Sequence, residues 1–424
     1  MRSHYIYLIL FTLVTLSACE FTLGEQDAQE PDSFEAIQTD PGFNYSTQAE
    51  ISLQLPDGPQ LELTDVYLGS ENKMNYLGRY SLIGDELELI ANSSINHIEL
   101  RTPDSNQQVV YAFDDRGALK EVNNKKPEDQ GNKNDKDGDG TIDKQDQYPD
   151  DPERSRFTCY PNCSGYATIL FEDQWPSKGD YDFNDLVMNY RIKYVANHNN
   201  KVVEIQFTTQ VLAVGGAMYH ALLFSLDMDP SLIESVTGNK IFNESFLELN
   251  PNGTEAGLNE AIIPIFDVSK SVLPPPAGFE VANVLVNQPY QSPVEFTTSV
   301  RFKEPLSNSL ISKAPHNPFI VVDFDRGREV HLPGQLPSAK IDKSLLNTAD
   351  DHFQDNKGHS YKTQKGHPWA LNVTDAIGYP KENIDISQTY LDFYKWAVSN
   401  GNSYKSWYDK NKSRVIENNI YRSK

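Results

Sequence analysis

The sequence predicts a mainly β protein, with an N-terminal immunoglobulin-like β-sandwich, a helix-free acidic loop, and a larger β-sandwich-type domain carrying one C-terminal amphipathic helix. Three observations predict it. Short apolar–polar alternations, of which Ala49, Ile51, Leu53 and Leu55 are the clearest, recur between clusters of Gly, Asn, Asp and Pro. Helical spacing of apolar residues stands out at Ile386, Tyr390, Phe393 and Ala397, with Tyr394 widening the stripe and Ser399-Asn400-Gly401 as a stop. Between the two β-rich blocks runs a polar stretch broken by Pro127, Gly131, Pro149 and Pro152, where a helix cannot continue.

At the N-terminus, Met1-Arg2 precedes an apolar run from Tyr5 to Leu16, followed by Leu16-Ser17-Ala18-Cys19. The run is short for a bilayer span, which favours a cleaved signal, and its end resembles the lipobox of a bacterial lipoprotein. That resemblance implies a signal peptide over residues 1–18, lipidation of Cys19, and an acidic, lipid-anchored tether over 19–33, with the protein held at the cell envelope and the outer membrane as its expected place. Several acyl chains anchor stably where one is marginal. With 37 Lys+Arg against 60 Asp+Glu in 424 residues, the net charge is −23. Such a surface excludes nucleic acid as a partner and electrostatic attachment to anionic lipid, so lipidated Cys19 must supply the membrane contact.

Residues 34–122 read as the sandwich domain. Segments Leu61–Leu68, Leu87–Ile90, Ile95–Leu100 and Val109–Phe113 follow the first alternation at sandwich-like spacing, separated by turn residues such as Pro56-Asp57-Gly58-Pro59.

The linker, 123–156, contains Asp135-Lys-Asp-Gly-Asp-Gly-Thr-Ile-Asp-Lys-Gln-Asp146. Its Asp135, Asp137, Asp139, the carbonyl of Thr141, Asp143 and Asp146 stand at the loop positions from which oxygen ligands surround calcium, and Gly140 stands where the backbone turns sharply. Position 12 is Asp rather than the longer Glu, and no flanking helices are available. The loop therefore resembles thrombospondin type 3 and related repeats rather than an EF-hand, and calcium is the expected cofactor.

Downstream, Cys159 and Cys163 are candidates for a small disulfide loop in an oxidising compartment, and a zinc site lacks two further ligands nearby. A second acidic motif, Phe171 to Tyr190, offers Glu172, Asp173, Asp180, Asp182, Asn184 and Asp185. Two explanations fit it: a second metal site, or Asp and Asn side chains capping backbone amides in a tight turn while Phe183, Leu186 and Val187 enter the core.

The acidic loop running into Asp146–Arg154, then Phe171-Glu-Asp and Gly179-Asp-Tyr-Asp-Phe-Asn-Asp-Leu-Val187, resembles the bacterial LruC-domain family. Asn317–Ile320, Arg328–Gly334, Ala349–Asp351, Tyr361–Thr363, Pro368–Leu371, Tyr379-Pro-Lys-Glu382 and Ser406-Trp-Tyr408 carry the same resemblance, over roughly residues 135 to 410. The chain departs from the common pattern at Thr158–Ser164 and Leu345–Thr348. The resemblance implies an exported or envelope lipoprotein with calcium-loop signatures and brings no reaction. The domain, 157–424, is expected to be β-rich, with strands at Arg191–Val195, Val202–Val211, Ala221–Leu226 and Phe319–Asp323. Trp369, Trp396 and Trp407 are expected to pack in cores rather than form a sugar platform.

Catalysis is not expected. The carboxylates Asp227, Asp229, Glu280, Asp323, Asp325 and Glu329 include no pair singled out for glycoside hydrolysis, and no nucleophile elbow, zinc helix or phosphate loop is present. The chain reads as a calcium-binding structural or adhesive envelope protein with an unknown protein or surface-polysaccharide partner. A glycan-recognition module is the alternative, and a calcium-dependent glycan-active hydrolase the less favoured one.

Overall fold

The computed structural model describes residues 33–54, 63–70, 73–81, 86–103, 107–114, 119–125, 134–354 and 358–422. The expected signal peptide, Cys19, the tether up to residue 32 and the turn at 56–59 lie outside the described residues. In the N-terminal half the strands are β1 (Gln48–Gln54), β2 (Leu63–Ser70), β3 (Lys73–Ser81), β4 (Glu86–Asn92), β5 (His97–Arg101), β6 (Gln108–Phe113) and β7 (Leu119–Lys125). The rest are β8 (Arg156–Tyr160), β9 (Ala167–Phe171), β10 (Leu186–Ala196), β11 (Lys201–Val214), β12 (His220–Leu226), β13 (Ile233–Thr237), β14 (Ala261–Phe266), β15 (Glu295–Ser307), β16 (Asn317–Val322), β17 (Glu329–His331) and β18 (Ala370–Val373). Helices are short: α1 (Ser269–Val272), α2 (Ile386–Thr389) and α3 (Phe393–Val398).

The protein is mainly β, and its sheets stack as sandwiches. In the N-terminal half, the β1–β4 pair faces β2, β3, β5, β6 and β7 across a core of Leu53, Val66, Leu68, Leu77, Leu87, Leu89, Ile98, Leu100 and Val109. In the larger half, β13-β15-β11-β10, with β8, β9 and β18, faces a four-stranded sheet in the order β14-β12-β16-β17. Apolar side chains of period two on both inner faces fill the space between them, among them Ile169, Met188, Tyr190, Ile205 and Phe207 against Leu222, Phe224, Ile263 and Ile320. Strands β12 and β14 are buried along their whole length because each sheet face is covered, which explains why apolar residues dominate both.

Strand β10 organises the acidic region. Its first half pairs with β9, Leu186 opposite Phe171 and Tyr190 opposite Ala167, and its second half pairs with β8, Ile192 opposite Tyr160. The two halves of the molecule share one continuous sheet, because β3 meets β8 at Gly78 and Thr158. Gly78 has φ +149°, and a Cβ there would stand 2.4 Å from the Thr158 Cα, so only glycine permits this junction.

Two local features differ from expectation. Residues 34–47 fall within the span assigned to the first sandwich, yet Phe34, Phe43 and Tyr45 pack with Phe393, Trp396 and Trp407 against the outer face of the larger sheet. The Phe34 N–H donates to Asp385 (2.8 Å), and Ser46 bridges to Asn372. The C-terminal apolar stripe is buried at Ile386, Tyr390, Phe393 and Ala397, but it is carried by α2 and α3 rather than one helix. The interruption has a cause: Leu391 N–H donates to Arg414 O (3.0 Å) and Ile416 N–H to Thr389 O (2.8 Å), so the C-terminal segment takes backbone bonds that a continuous helix would use.

Candidate metal centres

The 135–146 loop is built by its own side chains. Asp135 accepts from Gly138 N (2.8 Å) and Gly140 N (3.1 Å), Asp137 from Asp139 N, Asp139 from Thr141 N, Asp143 from Lys136 N, and Asp146 from Tyr148 N. Positive φ at Gly138 (+77°) and Gly140 (+100°) lets the backbone curl around these acceptors. Oxygens of Asp135, Asp137 and Asp139 come within 4.8 Å of one another. Asp137 Oδ2, Asp139 Oδ2 and Asp146 Oδ2 are buried without any partner. Burial first, then the charges of Asp139, Asp137 and Asp135, push the Asp146 carboxyl up to about 6. Orphaned, mutually repelling oxygens fit a hard dication. Thr141 is buried with its hydroxyl 2.9 Å from Ser155 Oγ, and both Asp143 oxygens accept from the loop itself, from Lys136 N and Asn134 Nδ2. Arg79 donates to Gln145 O (2.7 Å) and Gln147 to the Tyr76 hydroxyl (2.9 Å), so the loop is docked on β3 beside the sheet junction.

The second motif is the connection between β9 and β10, residues 172–185, with a turn at Tyr181 (φ +63°) and Phe183 (φ +53°), both in the left-handed region. These two residues break the extended alternation and gather the carboxylates, while Phe183, Leu186 and Val187 are fully buried. The turn splits the six candidates. Glu172, Asp180 and Asp182 bring one oxygen each within 4.8 Å of the others. Glu172 Oε1 accepts from Phe183 N (2.7 Å), and Asp182 accepts from Asn184 N (3.1 Å) and Asn383 N (2.8 Å). Asp173 turns away to His220 Nε2 (2.9 Å), Asp185 caps the Asp173 amide (2.8 Å), and Asn184 donates from Nδ2 to Pro380 O (3.4 Å).

Burial, then Asp185, Asp182 and Asp180, pushes Glu172 well above the ordinary carboxyl range, and burial, then Asp180, pushes Asp182 up to about 8. Asp173 goes the other way: burial opposes its ionisation, but the His220 hydrogen bond and the charges of His220 and Arg328 hold it below the usual value. Sequence reasoning missed His220, Arg328 and Glu382. Glu382 stood within the Tyr379-Pro-Lys-Glu382 segment; His220 and Arg328 carried no ligand-spacing signal.

Other candidates resolve plainly. Cys159 and Cys163 form a disulfide. Trp369, Trp396 and Trp407 are buried. Asp227 pairs with Lys313, Asp229 caps Ser231, and Glu329 is buried against Arg326, His331 and Ser338.

Residues 200–408 match a sequence family described as a domain of unknown function, DUF4842. That span runs from the start of β11 to Tyr408, so it contains His220 and Glu382 but neither the 135–146 loop nor the β9–β10 turn. A crystal structure described as a "putative lipoprotein from Bacteroides ovatus" shares the fold, with 18% identity, a TM-score of 0.51, and coverage of 86% of this chain and 100% of that one. No curated protein matches the chain. Among the described residues no helix is long and apolar enough to cross a membrane.

Proposed function

We propose that the protein is a lipid-anchored component of the cell envelope, structural or adhesive rather than catalytic, whose connecting loop binds calcium. The observation that carries the calcium reading is the set of three buried, unpartnered oxygens on Asp137, Asp139 and Asp146 in a loop of otherwise satisfied acceptors. A cation there replaces carboxylate repulsion with attraction and stiffens the segment docked on β3, next to the junction that joins the two halves. Calcium then stabilises the native state by mass action. Extracellular calcium modules bind at about 10⁻⁴–10⁻³ M, so the site fills where calcium is abundant. Anchoring through Cys19 is supported by the lipobox-like leader and by the lipoprotein description of the Bacteroides structure. The outer membrane is the proposed place, and a protein or surface polysaccharide the proposed partner.

Calorimetric titration of calcium into the chelator-treated protein, beside an Asp137→Ala, Asp139→Ala variant, tests the loop. Saturable binding that the variant loses supports it; equal binding by both proteins refutes it.

One observation favours the alternative of glycan recognition. A cleft of about 1180 Å³ between the N-terminal sandwich and the larger half is lined by Arg79, Tyr80, Arg156 and Tyr194. Arg156 is 3% exposed, and its Nε and Nη1 have no partner. Retention on carboxylate-bearing glycans that Arg156→Gln abolishes would establish this reading, and absence of retention on any glycan would remove it.

A further inference from the structure

We infer that the β9–β10 turn holds a second, buried calcium ion, bound by Glu172, Asp180 and Asp182 and closed from the far side of the fold by Glu382. This site is separate from the 135–146 loop and does not depend on it.

The first support is an unsatisfied oxygen. Glu172 is 1% exposed, its Oε1 is taken by the Phe183 amide, and its Oε2 is buried with no partner at all. That oxygen lies against the backbone next to Asp180: a Cβ on Gly179 would stand 1.7 Å from it. Glycine at 179 therefore makes room for a carboxylate pointed into the cluster. A second orphan comes from elsewhere in the chain, since Glu382 Oε2 is also buried and unpartnered. Glu382 and the cluster influence each other electrostatically, Asp180 acting on Glu382 and Glu382 on Asp182. Asn383 N–H donates to Asp182 and Ile386 N–H to Tyr181 O (2.8 Å), which fixes the 382–386 segment on the turn.

The chemistry of the donors selects the ion. All are carboxylate oxygens, which suit hard cations and disfavour zinc or copper. Their strongest electrostatic neighbours are other carboxylates, so a dication offsets a burial that is otherwise costly. The consequence is mechanical. The ion would pin the segment leading into α2 to the β9–β10 turn, and with it the aromatic layer of Phe34, Phe393, Trp396 and Trp407 over the outer sheet face.

The test is calcium stoichiometry by calorimetry on the whole protein, with terbium luminescence sensitised by Tyr181 as a local readout. Asp180 is exposed, so Asp180→Asn is the variant least exposed to folding failure; Glu382→Gln is the second, and melting curves in chelator confirm that each is folded. Two ions are expected in the wild type. One should be lost in Asp180→Asn, together with the terbium signal, and that site should be weakened in Glu382→Gln. Binding that disappears in Asp137→Ala, Asp139→Ala but is unchanged by Asp180→Asn and Glu382→Gln overturns this inference and leaves the loop standing. Binding that survives the loop variant and is lost in Asp180→Asn supports it while the loop reading fails.

Discussion

Two buried acidic clusters in this molecule have opposite electrostatics. In the first, Glu255 and Glu329 are fully buried around Arg326, which pairs with both, and Lys340 (2.9 Å from Glu255) and His331 (2.9 Å from Glu329) complete the set. Burial opposes ionisation of Glu329, yet the His331 hydrogen bond and charge, Arg326 and Ser338 pull its carboxyl down to about 2. In the second, Glu172 is equally buried, and burial first, then the charges of Asp185, Asp182 and Asp180, push its carboxyl up with no cation among the described residues to oppose them. Burial alone therefore does not set the charge state of a carboxylate. A cation supplied by the chain closes the first cluster, and the second is left open to one from outside.

The sharpest way to break this comparison is to remove the internal cation. Arg326→Met should cost about 3–5 kcal/mol in chemical denaturation, because Glu255 and Glu329 lose their guanidinium; a neutral result would mean that Lys340 and His331 suffice. Next in size is the external cation. Calcium at about 100 times its Kd should raise stability by about 2.7 kcal/mol per site over the chelated protein, and the Asp180→Asn protein should gain less than the wild type in the same melting experiment.

The pH dependence comes third. The folded pKa of Glu329 lies below its ordinary value of 4.5, so its contribution is fully present above about pH 4.5 and is lost as pH falls toward 2. Acid denaturation should show this limb, and the Glu329→Gln protein should lack it. The smallest effect reverses the sign of the first. In chelator, Glu382→Gln should raise stability by less than about 1 kcal/mol, since it removes a carboxylate from a repelling group at a half-buried position. A loss of stability there would show that Glu382 is held by contacts other than charge.

The convergence of Asp135, Asp137 and Asp139 was legible in the sequence because the three lie within one short segment, where spacing sets which oxygens meet. The β9–β10 turn was legible only in part. Its six oxygen-bearing residues were evident, but extended alternation would place Asp180, Asp182 and Asn184 on one face, whereas the chain with positive φ at Tyr181 and Phe183 buries Asp182 and Asn184 and leaves Asp180 exposed. The division between Glu172, Asp180 and Asp182 on one side and Asp173 with His220 on the other follows from where β12 lies, which no local pattern encodes. The apolar stripe of the C-terminal helices was evident, but the break at Tyr390–Asp392 was not, because the competing backbone partners come from residues 414–416.

By itself, the sequence determined the β class, the strands whose side chains alternate, and an acidic loop whose carboxylates are neighbours in the chain. The tertiary structure decided that Phe34, Phe43 and Tyr45 cover the larger sheet rather than the N-terminal sandwich, and that β3 and β8 run into one sheet through Gly78. It also decided that the 382–386 segment lies against the β9–β10 turn, with the Asn383–Asp182 bond closing 201 residues of chain. The reason is range: backbone periodicity and turn chemistry act over a few residues, whereas burial and charge act between whichever groups the packed sheets bring together.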